Sequence, residues 1–499
     1  MAGIGFAKLR NGRARQMVRS ICEGGKAMKK AKRLKKIAAG VLALSLILPM
    51  MAGCKNSVGS KSATASADTS VKTKITVWAA NRQDIDYVQS AIADYNKTNP
   101  NGVEIDYSVY TDNYVQALQL AYSTDAAPDL MCDSGTFFIT YVNKGYFLPL
   151  NKYLTSSYKA RFGDDAFLKG INVINGKIYS LPAIVTTPRL IVNEDVFKQA
   201  GISSYPASMT DLVNDANIIS SKLKSQGVYG FAGNLKSPSQ FVARTLVQIL
   251  ELSGNPIREG YNLKTAKYDF TPYKPILKAF NQIFTSDAAF PGCEALDIDP
   301  LRAQFANGKI GMYISWSHGE PGVYKNQFPT KVNWTMASLP TIDGKVKSTQ
   351  DINLADRWFY VNGHTKNPEK AFKALQFFYS DNYLKGYYEN GLSIVNVPSV
   401  LKVAKTPDVV QRMPLVQMTK SDAVWPNIPT GVTPEGTDYY TTFVKLILTK
   451  NETDAQYDST LKDLNTRYNN GLQDAVSNGQ TEKIQYKDFD PAAPTKVLK

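Results

Sequence analysis

The sequence predicts an α/β protein whose folded body opens with a parallel, doubly wound sheet and divides into two lobes. Strand and helix signals alternate over residues 74–147, and a β-α-β-α-β-α order builds a parallel sheet with helices on both faces. The body begins near Thr73 and is about 425 residues long. Because that length exceeds what one hydrophobic core normally holds, two lobes are expected.

The six elements of this opening unit follow one another without long gaps. The first strand is the apolar run "KITVWAA", and its Trp78 is expected in the core. The first helix carries Ile85, Val88, Ile92 and Tyr95 on one face, and an Asn-Pro pair ends it. The remaining elements are the strand "VEIDYSVY", the helix "NYVQALQLAYST", the strand "PDLMCDS" and the helix "FFITYVNKGYF".

Polar residues follow the three predicted strands at their carboxyl ends. Ligands of open α/β sheets bind at those ends, which makes the polar residues there candidates for ligand contacts. Polar residues in such positions also cap helices, and that alternative stays open. The candidates are Arg82, Tyr110, Asp112, Asp133 and Ser134.

An export signal precedes the folded body. Residues 28–36 contain six Lys or Arg and no acid, and residues 37–53 carry no charge. This is the basic and then apolar pattern of a signal peptide. Ala52 and Gly53 precede Cys54, and the whole stretch resembles a bacterial lipoprotein signal in which the cysteine is lipidated. An uncleaved helical anchor is the alternative.

The lipoprotein interpretation divides the N-terminal region into three parts. Residues 1–27 are expected to be an extension upstream of the true start at Met28, and residues 28–53 the signal peptide. Residues 54–72 are rich in Ser, Lys and Ala and are expected to form a flexible tether. Localisation is then predicted at the outer face of the cytoplasmic membrane, through the lipid on Cys54.

Composition excludes a nucleic-acid partner and a cysteine framework. The full chain has 58 basic and 43 acidic residues, but the leader carries most of the excess, so the chain from Cys54 onward is near +4. A basic surface for nucleic acid is therefore not expected. Cys132 and Cys293 are the cysteines of the body, and two separate buried thiols are predicted rather than a disulfide.

Five segments carry a family resemblance, in the family's own order. They are "STDAAPDLM", "INGKIYSLPAIVTTPRLIVNEDVFKQAGI", "YPASMTDLVNDA", "FANGKIGMYISWSHG" and "HTKNPEKAFKALQFF". Together they span most of the body, which resembles an extracellular solute-binding protein of the maltose-binding type. Members of this family are the capture subunits of ABC importers for carbohydrate.

The resemblance implies a clamshell of two lobes, each a doubly wound and mostly parallel sheet flanked by helices, joined by a hinge. The first lobe is expected to comprise residues 73–184 and 352–412. The second is expected to comprise residues 185–351 and 413–499. A monomer that binds carbohydrate, and that docks on the transmembrane subunits of an ABC permease, is implied. No cofactor, metal or catalytic residue is implied.

Further ligand contacts follow from the places of aromatic and charged residues within the family pattern. Sugar faces stack on flat aromatic rings, and sugar hydroxyls bond to planar polar groups. In "GMYISWSHGEPG" either Trp316 or His318 is expected to take the stacking role. Core packing is the alternative for each tryptophan, and a structural ion pair is the alternative for the arginine of the crossing strand. The candidates are Arg189, Trp316, His318, Arg357, Trp358 and Trp425.

Two alternatives to this function remain, an enzyme and a binding protein for another kind of solute. An anchored glycan-active enzyme would need two opposed carboxylates, which a chain with 43 acids can supply. The chain contains only 2 His, so few residues are available for a His-based metal site or a Ser-His-Asp triad. Within the binding class, polyamines, peptides and phosphorylated polyols are the alternative ligands.

Overall fold

The computed structural model describes residues 72–98, 101–110, 113–132, 138–163, 166–352 and 358–499. All of these belong to one compact unit, Ser70–Lys499. The predicted extension, signal peptide and tether, including Cys54, lie outside the described residues. So do four of the candidate ligand residues, namely Asp112, Asp133, Ser134 and Arg357.

The strands are β1 Thr73–Ala79, β2 Val103–Val109, β3 Leu130–Cys132, β4 Val173–Ile174, β5 Lys177–Ile178, β6 Ile184–Val185, β7 Pro188–Asn193, β8 Tyr229–Phe231, β9 Ile257–Arg258, β10 Tyr261–Asn262, β11 Lys267–Tyr268, β12 Ile310–Trp316, β13 Trp334–Ala337, β14 Gln350–Asp351, β15 Phe359–Val361, β16 Ile394–Val395 and β17 Asp422–Ala423. The α-helices are α1 Ile85–Thr98, α2 Tyr114–Ser123, α3 Phe138–Asn143, α4 Ser156–Ala160, α5 Glu194–Ala200, α6 Met209–Leu223, α7 Pro238–Arg244, α8 Leu246–Leu252, α9 Lys274–Phe284, α10 Ile298–Ala306, α11 Glu320–Gly322, α12 Pro368–Phe378, α13 Asp381–Glu389, α14 Pro398–Leu401, α15 Asp408–Arg412, α16 Tyr439–Leu448 and α17 Asp454–Ser477.

The first sheet has the strand order β15-β3-β1-β2. Strands β1, β2 and β3 are parallel, as the alternation of strands and helices predicts. Along β1 the side chains of Ile75, Val77 and Ala79 are fully buried while their neighbours are not, because successive residues of a strand point to opposite faces. The predicted third helix is shorter than expected and ends at Asn143, close to Gly145, whose φ of +71° interrupts the helix.

The second sheet has the order β13-β7-β12-β8. Strands β8, β12 and β13 run in one direction, and β7 runs antiparallel to both of its neighbours. In the first sheet β15 is likewise the antiparallel strand. Each of these two strands is the one by which the chain enters its sheet from the other lobe. Entry from the opposite side reverses the direction of that strand, so a mostly parallel sheet acquires one antiparallel member.

Two large hydrophobic cores correspond to the two sheets. The first draws on residues between Ile75 and Ile184 and again between Phe359 and Val400. The second draws on residues between Leu190 and Leu339 and again between Val410 and Phe489. Cys132 lies in the first core and Cys293 in the second, and no disulfide joins them. Burial raises the pKa of the Cys293 thiol to about 12, which keeps it protonated and unreactive.

The passage between the lobes is organised around one buried carboxylate. Asp422 accepts two hydrogen bonds from the Arg189 guanidinium, at 2.6 and 3.0 Å, and one from Gln350 Nε2 at 2.7 Å. Thr187 also donates to it. Thr187 and Arg189 belong to the first crossing of the chain and Gln350 to the second, so Asp422 ties both crossings together.

The C-terminal residues form a further connection between the lobes. Phe489 is buried in the second core, where its ring meets that of Trp425 at 5.2 Å. Leu498 is buried with aromatic residues beside the first sheet, and its carbonyl accepts from the Lys169 N–H at 3.0 Å. The last eleven residues therefore contact both lobes.

Replacing Asp422 by Ala should destabilise the protein by about 3–5 kcal/mol, since it leaves the Arg189 guanidinium buried without its partner. Burial alone would raise the pKa of Asp422, but the bonds from Arg189, Thr187 and Gln350 outweigh it and the pKa lies below its ordinary value. The stability that Asp422 contributes should therefore be complete above pH ~4 and decline as the pH falls below that.

Urea unfolding of the purified protein at several pH values measures this effect. The control is Asp463→Ala, which removes an exposed ion pair with Arg467 (2.7 Å) and should cost less than about 1 kcal/mol. Equal losses in the two variants would contradict a special role for Asp422.

Candidate functional site

The carboxyl ends of the two sheets meet in a cleft between the lobes. Gln83, in the loop after β1, lies with its Nε2 3.4 Å from Nε2 of His318, in the loop after β12. Gly322 lies close to the loop after β1. A Cβ added to Gly322 would be 3.3 Å from the Gln83 carbonyl oxygen. The sequence predicts ligand contacts at these strand ends, and the structure brings them together.

The first wall of the cleft contains an aromatic pair at the end of the first sheet. The rings of Trp78 and Tyr110 lie with their centroids 4.3 Å apart and their planes tilted by 39°. The Tyr110 N–H donates to the Ala79 carbonyl at 2.8 Å, which fixes the pair where β1 and β2 end. Both side chains are partly exposed and pack against a cluster of buried residues that includes Met131, so Trp78 lies at the edge of the core rather than within it.

The second wall contains Trp316 and His318, the alternatives for the stacking role. Trp316 is partly exposed at the end of β12, where it pairs with Pro188 of β7. His318 is buried, and its Nδ1 lies 2.5 Å from Oγ1 of Thr186 in the first crossing. His318 therefore connects the second lobe with the first crossing. Of the two alternatives for the stacking role, Trp316 is the one with a partly exposed ring.

A chain of charges leads from the rim of the cleft into the second lobe. Arg82 of the first lobe forms an ion pair with Asp299 of α10 at 2.8 Å. Asp299 also accepts from Arg302 at 3.2 Å, and Arg302 in turn binds the fully buried carboxylate of Glu320 at 2.6 Å. Tyr313 donates to the same carboxylate at 2.8 Å. Arg82 thus has a partner in the other lobe, at a position where a ligand would approach.

This network explains why charged groups can be buried in the second wall. Burial alone would lower the pKa of Arg302, but the adjacent Glu320 carboxylate more than offsets it and the pKa lies above its ordinary value. Burial first, and then the Glu320 charge, raise the pKa of Tyr313 well above its ordinary value. Arg302 is therefore a permanent cation and Tyr313 a permanent hydrogen-bond donor.

A polar groove of about 1320 Å³ adjoins the cleft and shares Gln83 and Gly322 with it. One side of the groove contains the start of α1, from Asp84 to Ser90, and the other contains residues between Pro321 and Trp334. Charged side chains of both signs line it. The lining charges include Asp86, Lys325, Glu389, Lys405, Asp408 and Arg412.

Three predicted ligand residues lie in the interior, and for these the structure corrects the prediction. Arg189 is paired with Asp422 and also donates to the carbonyls of Leu415 and Gln417, so the structural ion pair accounts for it. Trp358 is buried and donates from its indole nitrogen to the Ile184 carbonyl at 2.7 Å. Trp425 is fully buried against Phe489, a residue that sequence proximity could not indicate.

Several residues of the cleft are absent from the sequence-based candidates. Gln83, Asp299, Arg302 and Glu320 fall there because of the tertiary fold. For Glu320 a signal existed, since it follows His318 closely in "WSHGEPG". For Asp299 and Arg302 the sequence shows only an ordinary amphipathic helix, α10.

Comparison with known protein families identifies one match. A family model described as "Bacterial extracellular solute-binding protein" matches residues 79–384, which is more than half of the chain. The chain belongs to this family. The resemblance found in its sequence motifs is thereby confirmed.

Individual relatives of this solute-binding protein are distant in sequence. A binding protein of Brucella abortus (strain 2308) is 23% identical over 307 residues, which are 61% of this chain and 71% of that protein. A structure from work on xylan utilisation by Caldanaerobius polysaccharolyticus has a TM-score of 0.63 at 19% identity and covers 78% of this chain and 99% of that one.

Two further structures contain a bound sugar. The solute-binding protein RafE with raffinose has a TM-score of 0.62 at 16% identity, covering 80% of this chain and 100% of that one. RafE is a protein of Streptococcus pneumoniae. The MalE domain of Bdellovibrio bacteriovorus with maltotriose has a TM-score of 0.55 at 18% identity, covering 82% and 99%. The two-lobed α/β fold class predicted from the sequence is confirmed by this similarity.

Within the described ranges, no group of three or more His, Cys, Asp or Glu side chains could hold a metal ion. None of the helices in the same ranges combines the length and the apolar character needed to cross a membrane.

The ion pair between Arg82 and Asp299 should favour the conformation in which the two rims touch. We expect Asp299→Asn to increase the radius of gyration of the ligand-free protein in X-ray scattering. Because an exposed pair contributes at most about 1 kcal/mol, the population of the open form should rise no more than about fivefold. The control Asp343→Asn removes a pair with Lys347 (2.7 Å) inside the second lobe and should leave the radius unchanged. An unchanged radius in both variants would contradict the expectation.

Proposed function

We propose that this chain is the extracellular substrate-binding subunit of an ABC importer and that it captures a carbohydrate, most simply an oligosaccharide. Support comes from the arrangement of partly exposed aromatic rings at the cleft, with Trp78 and Tyr110 on the first wall and Trp316 on the second. Flat rings beside polar groups are what the faces and edges of a sugar require. This aromatic lining is the observation on which the proposal depends.

The bound ligands of similar structures point the same way. RafE holds raffinose and the Bdellovibrio MalE domain holds maltotriose. A sugar transporter from Bacillus licheniformis, with a TM-score of 0.59, holds stachyose. These ligands contain several sugar units, and the adjoining groove of about 1320 Å³ offers space for a ligand longer than one unit.

Capture would proceed by hinge closure. A ligand selects the closed form only through contacts that the open form lacks. The proposed contacts are those made by both walls at once, with Trp316 on one face of the sugar and Trp78 and Tyr110 on the other. Asp112, Asp133, Ser134 and Arg357 are proposed as further contacts.

Delivery would depend on the membrane anchor. A lipid on Cys54 would hold the protein at the outer face of the cytoplasmic membrane, and the tether of residues 54–72 would let it reach the permease. Tethering raises the effective concentration of the loaded protein at its partner. The transmembrane subunits of the permease are the proposed protein partner.

A thermal-shift screen tests the ligand class. At a hundredfold excess over the dissociation constant, a ligand stabilises the native state by about 2.7 kcal/mol. The panel should contain mono- and oligosaccharides together with polyamines, peptides and phosphorylated polyols. Recovered sugar should be chemically unchanged after long incubation. Turnover of the sugar would favour the competing glycan-active enzyme and overturn the transport role.

Replacing Trp316 by Ala should weaken binding of the sugar found in that screen at least tenfold, because an interfacial aromatic anchor is lost. The melting temperature of the ligand-free protein should change little. Calorimetric titration and thermal unfolding measure the two quantities.

Trp425→Ala is the control, because Trp425 is fully buried against Phe489 and does not line the groove. It should cost roughly 3–5 kcal/mol of folding stability instead. If Trp316→Ala behaved like Trp425→Ala, the ring of Trp316 would belong to the core rather than to the ligand site.

Replacing Cys54 by Ser should prevent lipid attachment and leave the protein unprocessed or released from cells. Metabolic labelling with a fatty acid and fractionation of membranes measure the change. The control is Cys293→Ser, since that buried thiol has no role in anchoring. A Cys54→Ser protein that remained on membranes at the mature size would show that the lipoprotein interpretation is wrong.

A further inference from the structure

Arg244, the last residue of α7, is buried without a partner. Arg244 is only 3% exposed, and neither Nε nor Nη2 of its guanidinium has a hydrogen-bond partner. Buried polar groups are nearly always hydrogen-bonded, and a buried charge without a partner costs several kcal/mol. A guanidinium in this state needs a physical explanation.

The charges around Arg244 do not supply the missing partner. Glu320 is the nearby buried carboxylate, but its oxygens already accept from Arg302 at 2.6 Å, from Tyr313 at 2.8 Å and from Ser315 at 2.5 Å. Asp297 caps α10 and accepts from the Ser237 hydroxyl at 3.1 Å. The nearby carboxylates are thus engaged by other donors, and none of them forms a hydrogen bond with the buried Arg244 guanidinium.

The electrostatic consequence is that Arg244 is held in an unfavourable environment. Burial first, and then the positive charge of Arg302, lower the pKa of Arg244 to about 10. At neutral pH the group nevertheless remains charged. The other buried arginines differ from it, since Arg189 is paired with Asp422 at 2.6 Å and Arg258 with Asp351 at 2.7 Å.

The position of Arg244 connects it with the second wall of the cleft. Helix α7 begins after the end of β8, which runs parallel to β12, and Arg244 at its last turn is close enough to interact electrostatically with Glu320, which follows β12 and Trp316. Two more buried polar groups at these ends have no partner, namely Nδ2 of Asn234 after β8 and Oγ of Ser317 after β12. All three groups can donate hydrogen bonds. Hydrogen-bond donors without acceptors and a buried cation without a hydrogen-bonded carboxylate are what the binding of an anion requires.

We propose that Arg244 binds an anionic group of the ligand, so that the carbohydrate carried by this protein is acidic. This inference rests on the proposed function. The shared chemistry is an oxyanion, which a sugar can carry as a carboxylate, a sulfate or a phosphate. The planar guanidinium fork suits such groups because it can donate two parallel hydrogen bonds.

Matched pairs of oligosaccharides test the inference by calorimetric titration. In one pair a glucuronate or galacturonate unit is compared with its carboxyl-reduced form. In the other pairs a sulfated or a phosphorylated oligosaccharide is compared with the unmodified one. Raffinose, stachyose and maltotriose serve as neutral references. We expect the wild-type protein to bind the acidic member of at least one pair tenfold or more tightly than its neutral counterpart.

Variants of Arg244 separate recognition from structure. Arg244→Met should abolish the preference for the acidic sugar and should leave the melting temperature of the ligand-free protein unchanged or higher, because it removes an unpaired buried charge. Arg244→Lys should retain part of the preference. The control Lys462→Met removes one positive charge from an exposed position on α17 and should change neither affinity nor preference.

The outcomes distinguish this inference from the proposed function. If neutral sugars bind and no acidic member of a pair is preferred, or if Arg244→Met keeps the preference, the inference is overturned while carbohydrate binding stands. A drop in the melting temperature of ligand-free Arg244→Met, with the preference intact, would assign Arg244 a structural role and also overturn it. If no sugar of either kind binds, the proposed function fails as well.

Discussion

One buried carboxylate, that of Asp422, holds the crossings between the lobes in place. It receives the Arg189 guanidinium from the first crossing and Gln350 from the second, although Arg189 and Asp422 lie 233 positions apart in sequence. A buried ion pair of this kind gains little net free energy over an apolar substitute, yet it is intolerant of the loss of one partner. The ion pair can therefore fix the position of the two crossings relative to each other. The orientation of both cleft walls depends on that position.

The direction of the strands determines where the site lies. Each sheet consists of strands that run in one direction plus the strand by which the chain arrives from the other lobe, β15 in the first sheet and β7 in the second. The strands that share a direction end at a common edge, and the two edges face each other. The loop after β1, with Arg82 and Gln83, thus meets the region of α10 and the loop after β12. Contacts across the cleft are a consequence of strand direction, and the residue types at those ends decide what is bound.

The sequence predicts those features that depend on local periodicity. The first three strands and helices could be recognised because Val88 and Ile92 recur at helical spacing and the strands are short apolar runs. The cleft residues Tyr110 and Trp316 could be found for the same reason, since they lie at strand ends. The sequence does not distinguish Trp316 from Trp425, because both stand among polar and small residues. What separates them is Phe489, which packs on the ring of Trp425 and is brought there by the tertiary fold alone.

The same limit applies to charge, and it explains why Arg244 escapes recognition in the sequence while Arg189 attracts attention. Both are arginines in an apolar context, and the sequence cannot show which one meets a carboxylate. The fold supplies Asp422 to Arg189 and commits Glu320 to Arg302, which leaves Arg244 without a carboxylate bonded to it. In a solute-binding protein, a buried charge without a bonded carboxylate near the cleft can serve to bind the solute, which a packing defect cannot. An apolar residue at that position would avoid the cost of burying a charge, and the proposed acidic ligand gives that charge a partner from outside the chain. The unfavourable burial of Arg244 in the empty protein would then become a favourable contribution when an acidic ligand is bound, and neutral sugars would gain nothing from it.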